Sequence, residues 1–281
     1  VGSGRCVSET GFHAEEAPLQ AVVRGRTIGF VRGKGAFFLQ TVKQAGGLMV
    51  MAVRYGGREP DKRTGASLAE YTLPFEGAWT VLNGGVDKDT SHSWGVLTQR
   101  YAYDFVVLDE QGRSCRPDAD PADPASYYCY GLPILAPADG VVAEVGTSCP
   151  NAQIMLDDTV HFGGDDIRGN YVVIDQGNGE FSCLCHLKPG GVLVEAGQRV
   201  SRGHRVGLCG SSGCSSEPHL HFHVQKGQSF YTSPGVPVRF AGAMAVPAPC
   251  YEAADPRPVP PGAYDDFPPF LTRGLKVESS S

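Results

Sequence analysis

The sequence predicts a mainly β protein with long loop insertions, and three observations carry that expectation. Glycine and proline are abundant, at 37 and 21 of 281 residues, which favours turns and short strands over long helices. Few stretches hold apolar residues at a helical period, and segments such as Ala21–Phe30 and Gly47–Arg54 read as β-branched strands. The run Pro218-His219-Leu220-His221-Phe222-His223-Val224 alternates with the period of two that a strand imposes.

An apolar fraction of 41% is enough to build a core. The length suits one large domain, or a domain of about 100–200 residues with an appendage. Net charge is −6, from 30 acids against 24 bases, and no Lys/Arg cluster forms a stripe, which argues against nucleic acid as a partner. No apolar run approaches the roughly 18 residues that a membrane span needs. Nine cysteines are many for a reducing compartment, so a secreted or cell-envelope location with disulfides is expected, with a set of inert buried thiols as the alternative. Cys115 and Cys129 bracket one insertion and Cys209 and Cys214 bracket a Gly/Ser loop, but sequence leaves the pairing open, and an odd count leaves one thiol over.

Three regions follow from the punctuation. Residues 1–72 read as a β-rich N-terminal region without a recognisable motif. Residues 73–248 carry the chemistry. Residues 249–281 form a Pro-rich tail that reads as a surface wrap or a partly disordered segment. Inside the central region, 101–109 reads as a strand and 110–130 as a polar insertion. Residues 131–146 read as strand, Asp-Gly turn, strand. A second insertion covers 147–169. Residues 170–176 and 181–187 then form a hairpin closed by Gly177-Asn178-Gly179.

Chemistry concentrates on a few side chains. On a strand, His219, His221 and His223 share one face, and Leu220, Phe222 and Val224 share the other, which reads as a core face. Neutral imidazole serves both as a zinc ligand and as a general base. His186 lies in Cys183-Leu184-Cys185-His186-Leu187. Asp104 is a lone carboxylate in the apolar strand Tyr101-Ala102-Tyr103-Asp104-Phe105, and an Asp in such a setting is paired or ligates a metal.

The ordered set Asp104, APADGVV, GNYVVI, CHL, VEAGQRVSRGHRVGLCGSSG and EPHLHFHV resembles the lysostaphin/LytM-type zinc metallopeptidases over about residues 73–245. More narrowly, Gln99-Arg100-Tyr101-Ala102-Tyr103-Asp104-Phe105 resembles a subgroup with a Gln-Arg-Tyr-Ala-x-Asp-Phe motif. The resemblance implies an antiparallel split-barrel or barrel-sandwich-like peptidase core with a groove across the sheet. It implies Zn²⁺ as cofactor, with Asp104 and His221 as metal ligands and His219 and His186 as the catalytic pair. It also implies peptide stems or cross-bridges of bacterial peptidoglycan as substrate, cut by a zinc-activated water with a His general base.

One position departs from the family pattern. Its first ligand, four residues before the Asp, is here Arg100, and arginine has no lone pair to give. His92, twelve residues before Asp104, is the expected third ligand, reaching in from a loop, with His161 as a second candidate. Arg100 is then expected to hold a substrate carboxylate, with Tyr101 and Tyr103 lining the groove. His204 is expected to face solvent. Three other readings stay open, the lowest-ranked being a sugar or phosphate transfer protein that pairs His186 with His219. One is a degenerate domain of the same family that binds cell wall or regulates another hydrolase. Another is a biotinyl- or lipoyl-type carrier, which needs a hairpin lysine where this chain has Gly177-Asn178-Gly179.

Overall fold

The computed structural model describes residues 42–56, 58–155 and 166–280, and the backbone course of 20–23, 26–29, 33–41 and 160–161. An antiparallel hairpin, β1 (Gln20–Val23) and β2 (Arg26–Gly29), precedes helix α1 (Gly33–Tyr55). The stretch Gly47–Arg54, expected as a strand from its β-branched residues, therefore lies in a helix. The helix packs closely at its glycine, where a Cβ on Gly47 would sit 2.0 Å from the Tyr231 carbonyl oxygen. The helix backbone rests directly on that loop, and Met51, one turn on, is buried beside it. Tertiary contact has overridden local propensity. Among the described residues no helix is long and apolar enough to cross a membrane.

The remaining strands run β3 (Trp79–Asn83), β4 (Tyr103–Val106), β5 (Pro133–Leu135), β6 (Gly140–Gly146), β7 (Val160–His161), β8 (Asn170–Asp175) and β9 (Glu180–Val192). They continue with β10 (Arg199–Val200), β11 (Arg205–Cys209), β12 (Leu220–Lys226), β13 (Gly235–Val236), β14 (Ala243–Pro247), the short helix α2 (Tyr251–Ala254) and β15 (Leu275–Ser279). A twelve-stranded antiparallel sheet has nine strands on the path β10-β6-β8-β9-β12-β4-β3-β15-β14, with β5, β11 and β13 pairing off it, so the mainly β expectation holds. The hairpin expected at Gly177–Gly179 is β8–β9, with Asp175 opposite Phe181. Strands β5 and β6 form on either side of Asp139-Gly140, yet they pair elsewhere, β5 with β11 and β6 with β8 and β10.

One face of the sheet holds the main core. Leu220, Phe222 and Val224 of β12 are fully buried there, with Tyr103 and Phe105 of β4 and Leu184 of β9. Phe75 stacks on Trp79 at 4.6 Å between ring centres and meets Phe105 edge-on at 5.0 Å. The other face of β12 is left for the histidines.

The tail is not a surface wrap. β15 lies between β3 and β14, with Val277 opposite Trp79, and Leu271, Leu275 and Val277 join the core. The Pro-rich run before it hid that strand, because proline masks strand periodicity without preventing a later strand. Asp255, buried at the end of α2, anchors the segment. Arg257 Nε lies 2.8 Å from its Oδ1 and Arg273 Nη1 lies 2.8 Å from its Oδ2.

The expected disulfides are absent as well. All eight cysteines among the described residues carry free thiols, and Cys6 lies outside them. Cys129, Cys183, Cys185 and Cys209 are buried in apolar surroundings, where cysteine behaves as a small hydrophobe. Burial pushes the Cys185 and Cys209 thiols up, and that of Cys214 to about 11, which keeps them protonated and unreactive.

Two stability outcomes follow. Leu275→Ala should lower unfolding free energy in urea by about 2–5 kcal/mol, as for a core leucine; a change under about 0.5 kcal/mol would mark a surface residue. Asp255→Asn should cost about 3 kcal/mol at pH 7, because it strands the buried Arg273 guanidinium and frees that of the partly exposed Arg257. Burial opposes ionisation of Asp255, but Arg257 and then Arg273 outweigh it and hold the carboxyl below its usual range. Its contribution is therefore present above the unfolded value of about 3.9 and fades as pH falls through the lower folded value. The gap between variant and parent should shrink in denaturant titrations carried below about pH 3.

Candidate metal centre

Strand register builds the centre. In β12–β4, His221 lies opposite Asp104, and in β12–β9 it lies opposite Cys185. Directly opposed residues of an antiparallel pair point to the same face. His221 Nδ1 thus meets Asp104 Oδ1 at 2.9 Å. On the far side of β4, Asn83 of β3 is also opposite Asp104, and its Nδ2 donates to Oδ2 at 3.0 Å.

His92 arrives from the loop before β4. That loop is tied across its base. Ser91 Oγ donates to the Arg100 carbonyl at 2.7 Å, and Arg100 Nε donates to the Trp94 carbonyl at 3.2 Å. The Arg100 guanidinium also covers the Trp94 ring, 4.9 Å from its centre. These ties hold His92 Nε2 3.5 Å from Asp104 Oδ2, and its ring meets that of His221 edge-on at 5.9 Å.

His186 reaches the same space by breaking the strand's alternation. Leu184 faces the core and Cys185 the opposite side, so a regular β9 would turn His186 into the core. Its φ of 60° reverses that direction. A non-glycine residue held there costs about 1–3 kcal/mol of strain. His186 N–H donates to the Arg168 carbonyl at 2.9 Å, and Nδ1 lies 2.8 Å from the Ser212 carbonyl. Ser212 Oγ in turn donates to the Leu187 carbonyl at 2.6 Å and accepts from Asn170 N–H at 2.8 Å. His219 Nδ1 lies 2.7 Å from the Glu217 carbonyl. A carbonyl can only accept, so both rings carry hydrogen on Nδ1 and leave Nε2 bare. The two rings are 4.7 Å apart.

Electrostatics agree with this arrangement. Burial opposes charge on Asp104, but the imidazoles of His92, His219 and His221 overcome it and hold the carboxyl well below its usual range. Burial, then the neighbouring His219 and His221, push the His186 imidazole well below its ordinary value. The donor atoms of His92, Asp104 and His221 lie within 4.8 Å of one another, as do those of His186, His219 and His221. Tetrahedral zinc with bonds of about 2.0–2.2 Å sets neighbouring ligand atoms about 3.3 Å apart; His92 Nε2 lies 3.5 Å from Asp104 Oδ2 and His221 Nδ1 lies 2.9 Å from Oδ1, so both nitrogens come within that range of the carboxylate. The nitrogen, nitrogen and carboxylate oxygen set suits Zn²⁺.

The structure thus brings together His92, Asp104, His186, His219 and His221. It does not bring in the two tyrosines expected to line the groove. Tyr103 flanks Asp104 on the strand, so it faces the core, fully buried, and its hydroxyl donates to the Leu271 carbonyl at 3.1 Å. Tyr101 is buried against Val86 and Phe270, with its hydroxyl on the Pro60 carbonyl at 2.8 Å. Arg100, half-buried, is turned onto Trp94 in its own loop. His204 is exposed, as expected. The side chain of His161 lies outside the described residues. Sequence reading missed Asn83 and Ser212. Ser212 sits inside a motif already quoted, whereas nothing in the sequence marks Asn83.

Residues 127–233 match the model of Peptidase family M23. That stretch contains His186, His219 and His221 and leaves out His92 and Asp104. The peptidoglycan DD-endopeptidase ShyA of Vibrio cholerae is 48% identical over 56 residues, 20% of this chain and 13% of that protein. An uncharacterized metalloprotease of Haemophilus influenzae is 35% identical over 96 residues, 34% of this chain and 16% of that protein. The chain thus spans under a fifth of either relative. A zinc-containing peptidase from Vibrio cholerae of solved structure gives a TM-score of 0.35 at 21% identity, covering 59% of this chain and 39% of that one.

The tautomer and charge of His186 can be read by ¹⁵N NMR of labelled protein. Because its folded value is depressed, the ring should stay neutral, with hydrogen on Nδ1, as pH falls from 8 through the ordinary histidine value of about 6.5. A ring already cationic at about pH 6 would contradict the burial and neighbours described.

Proposed function

We propose that this chain is a zinc-dependent endopeptidase of the M23 type, secreted or held in the cell envelope, that hydrolyses peptide bonds in bacterial peptidoglycan. The observation that carries the reading is the convergence of His92, Asp104 and His221 donors beside two imidazoles with bare Nε2 atoms. The family match and the named endopeptidase relative support the substrate class.

His92, Asp104 and His221 would hold the zinc. A bound Zn²⁺ supplies Lewis acidity, lowering the pKa of a coordinated water to about 7 and polarising the scissile carbonyl. His219 acts as the general base, taking the proton of the attacking water at Nε2. That atom lies 3.7 Å from Asp104 Oδ1, beside the proposed metal position. His186 is held neutral by burial, so it is the poorer proton acceptor and instead packs against His219 to fix its ring. The proton stored on His219 returns to the leaving amine. Arg100, at the family's usual ligand position, ties down the loop that carries His92.

Purified protein should contain close to one zinc per chain by elemental analysis, and chelation should abolish release of new amino groups from purified peptidoglycan until zinc is restored. His221→Ala should lose the metal. His219→Ala should keep it while turnover falls by about 10²–10⁴-fold. Full activity in both variants would sink the assignment. Zinc retention with no cleavage of any peptidoglycan would favour the non-catalytic, wall-binding reading, which Arg100 at the ligand position first suggests.

A further inference from the structure

We infer that Arg257, in the C-terminal segment beyond the matched family region, is a positioning residue for Asp104, acting through the side-chain amide of Asn83. The inference rests on the zinc reading above and names what orients one ligand.

The contacts form an unbroken line. Asn83 Nδ2 donates to Asp104 Oδ2 at 3.0 Å, and Arg257 Nη2 donates to Asn83 Oδ1 at 2.6 Å. Arg257 is itself clamped on Asp255, through Nε at 2.8 Å and Nη2 at 2.7 Å. Asp255 and Arg273 are buried, and Arg273 Nη1 donates to Asp255 Oδ2 at 2.8 Å. The far end of the line is therefore fixed in the protein rather than loose in solvent. Tyr251 adds a tie from the same segment, donating from its hydroxyl to the Leu82 carbonyl at 2.6 Å, one residue before Asn83.

Amide chemistry gives this line a direction. An Asn side chain presents a donor end and an acceptor end, and a half-turn exchanges them. A guanidinium has donors only, so Arg257 accepts no orientation of Asn83 except oxygen toward itself. The NH₂ must then face Asp104. That hydrogen bond holds Oδ2 on the β3 side and leaves Oδ1 toward His221 and His219. Without Arg257, the amide oxygen loses its anchor, the side chain can swing away from the carboxylate, and Asp104 can rotate. Hydrogen-bond partners of ligating carboxylates commonly matter about 10–100-fold in metal affinity.

The test is zinc affinity of the full chain, measured by competition with a chromophoric chelator, with folding checked by thermal melts. Arg257→Ala should weaken zinc by about 10–100-fold. Asn83→Ala, which leaves the Arg257–Asp255 pair intact, should give a similar loss and serves alone should Arg257→Ala not fold. Because one path carries both effects, the double variant should be little weaker than either single one. Leu275→Ala, which loosens the segment without touching the line, should leave zinc affinity unchanged. Affinity within about twofold of the parent in the single variants, or losses that multiply in the double one, overturns the inference. A parent chain that takes up no zinc in the same titration overturns the zinc reading itself, and this inference with it.

Discussion

Strand β12 is hydrogen-bonded to β4 along one edge and to β9 along the other, with His221 opposite both Asp104 and Cys185. Side chains alternate with period two, so this pairing sorts the molecule into a core face and a chemical face. Slipping β12 by one residue would exchange Leu220, Phe222 and Val224 for three imidazoles in the core. Burying those imidazoles unpaired costs several kcal/mol, while each buried apolar side chain contributes about 1.5–3 kcal/mol. The core therefore enforces the register, and the register alone sets Asp104 against His221. The Asp104–His221 pair is a consequence of packing on the other side of the sheet.

What the sheet cannot supply comes from departures from its regularity. A regular β9 would send His186 into the core, and the left-handed backbone at that residue turns it back. The strain persists because the Arg168 and Ser212 carbonyls grip the backbone N–H and the ring of His186. His92 likewise comes from a loop, but one closed by Ser91, Trp94 and Arg100. His186 is thus held by main-chain carbonyls directly, and His92 through a loop whose side chains close on main-chain carbonyls.

Charge follows the same economy. Asp104 is a buried anion, and such a group persists only with compensating partners. It has three imidazoles around it and the Asn83 amide on its remaining side. The C-terminal segment, packed through β15 into the same sheet, fixes that amide through Arg257. A stretch that looks like a trailing appendage is thereby coupled to the centre. The cysteines play no such part: those buried in the interior fill apolar space, and burial keeps their thiols protonated.

The sequence by itself determined the two-faced strand at 219–224, the isolated carboxylate at 104, the hairpin at 177–179 and the mainly β class. Each follows from local rules: period two, the cost of burying a lone charge, and the backbone freedom of glycine. The tyrosines at 101 and 103 were open to the same rule, since Tyr103 neighbours Asp104 and must face the other way. Only the tertiary structure decided the helix at Gly47–Arg54, the strand at Leu275–Ser279, the free state of the thiols, the turned-back His186 and the line from Asp255 to Asp104. Those depend on contacts between residues far apart in the chain, which no local pattern encodes. The helix packs against Tyr231, the final strand pairs beside Trp79, and Arg257 orients an asparagine 174 positions away.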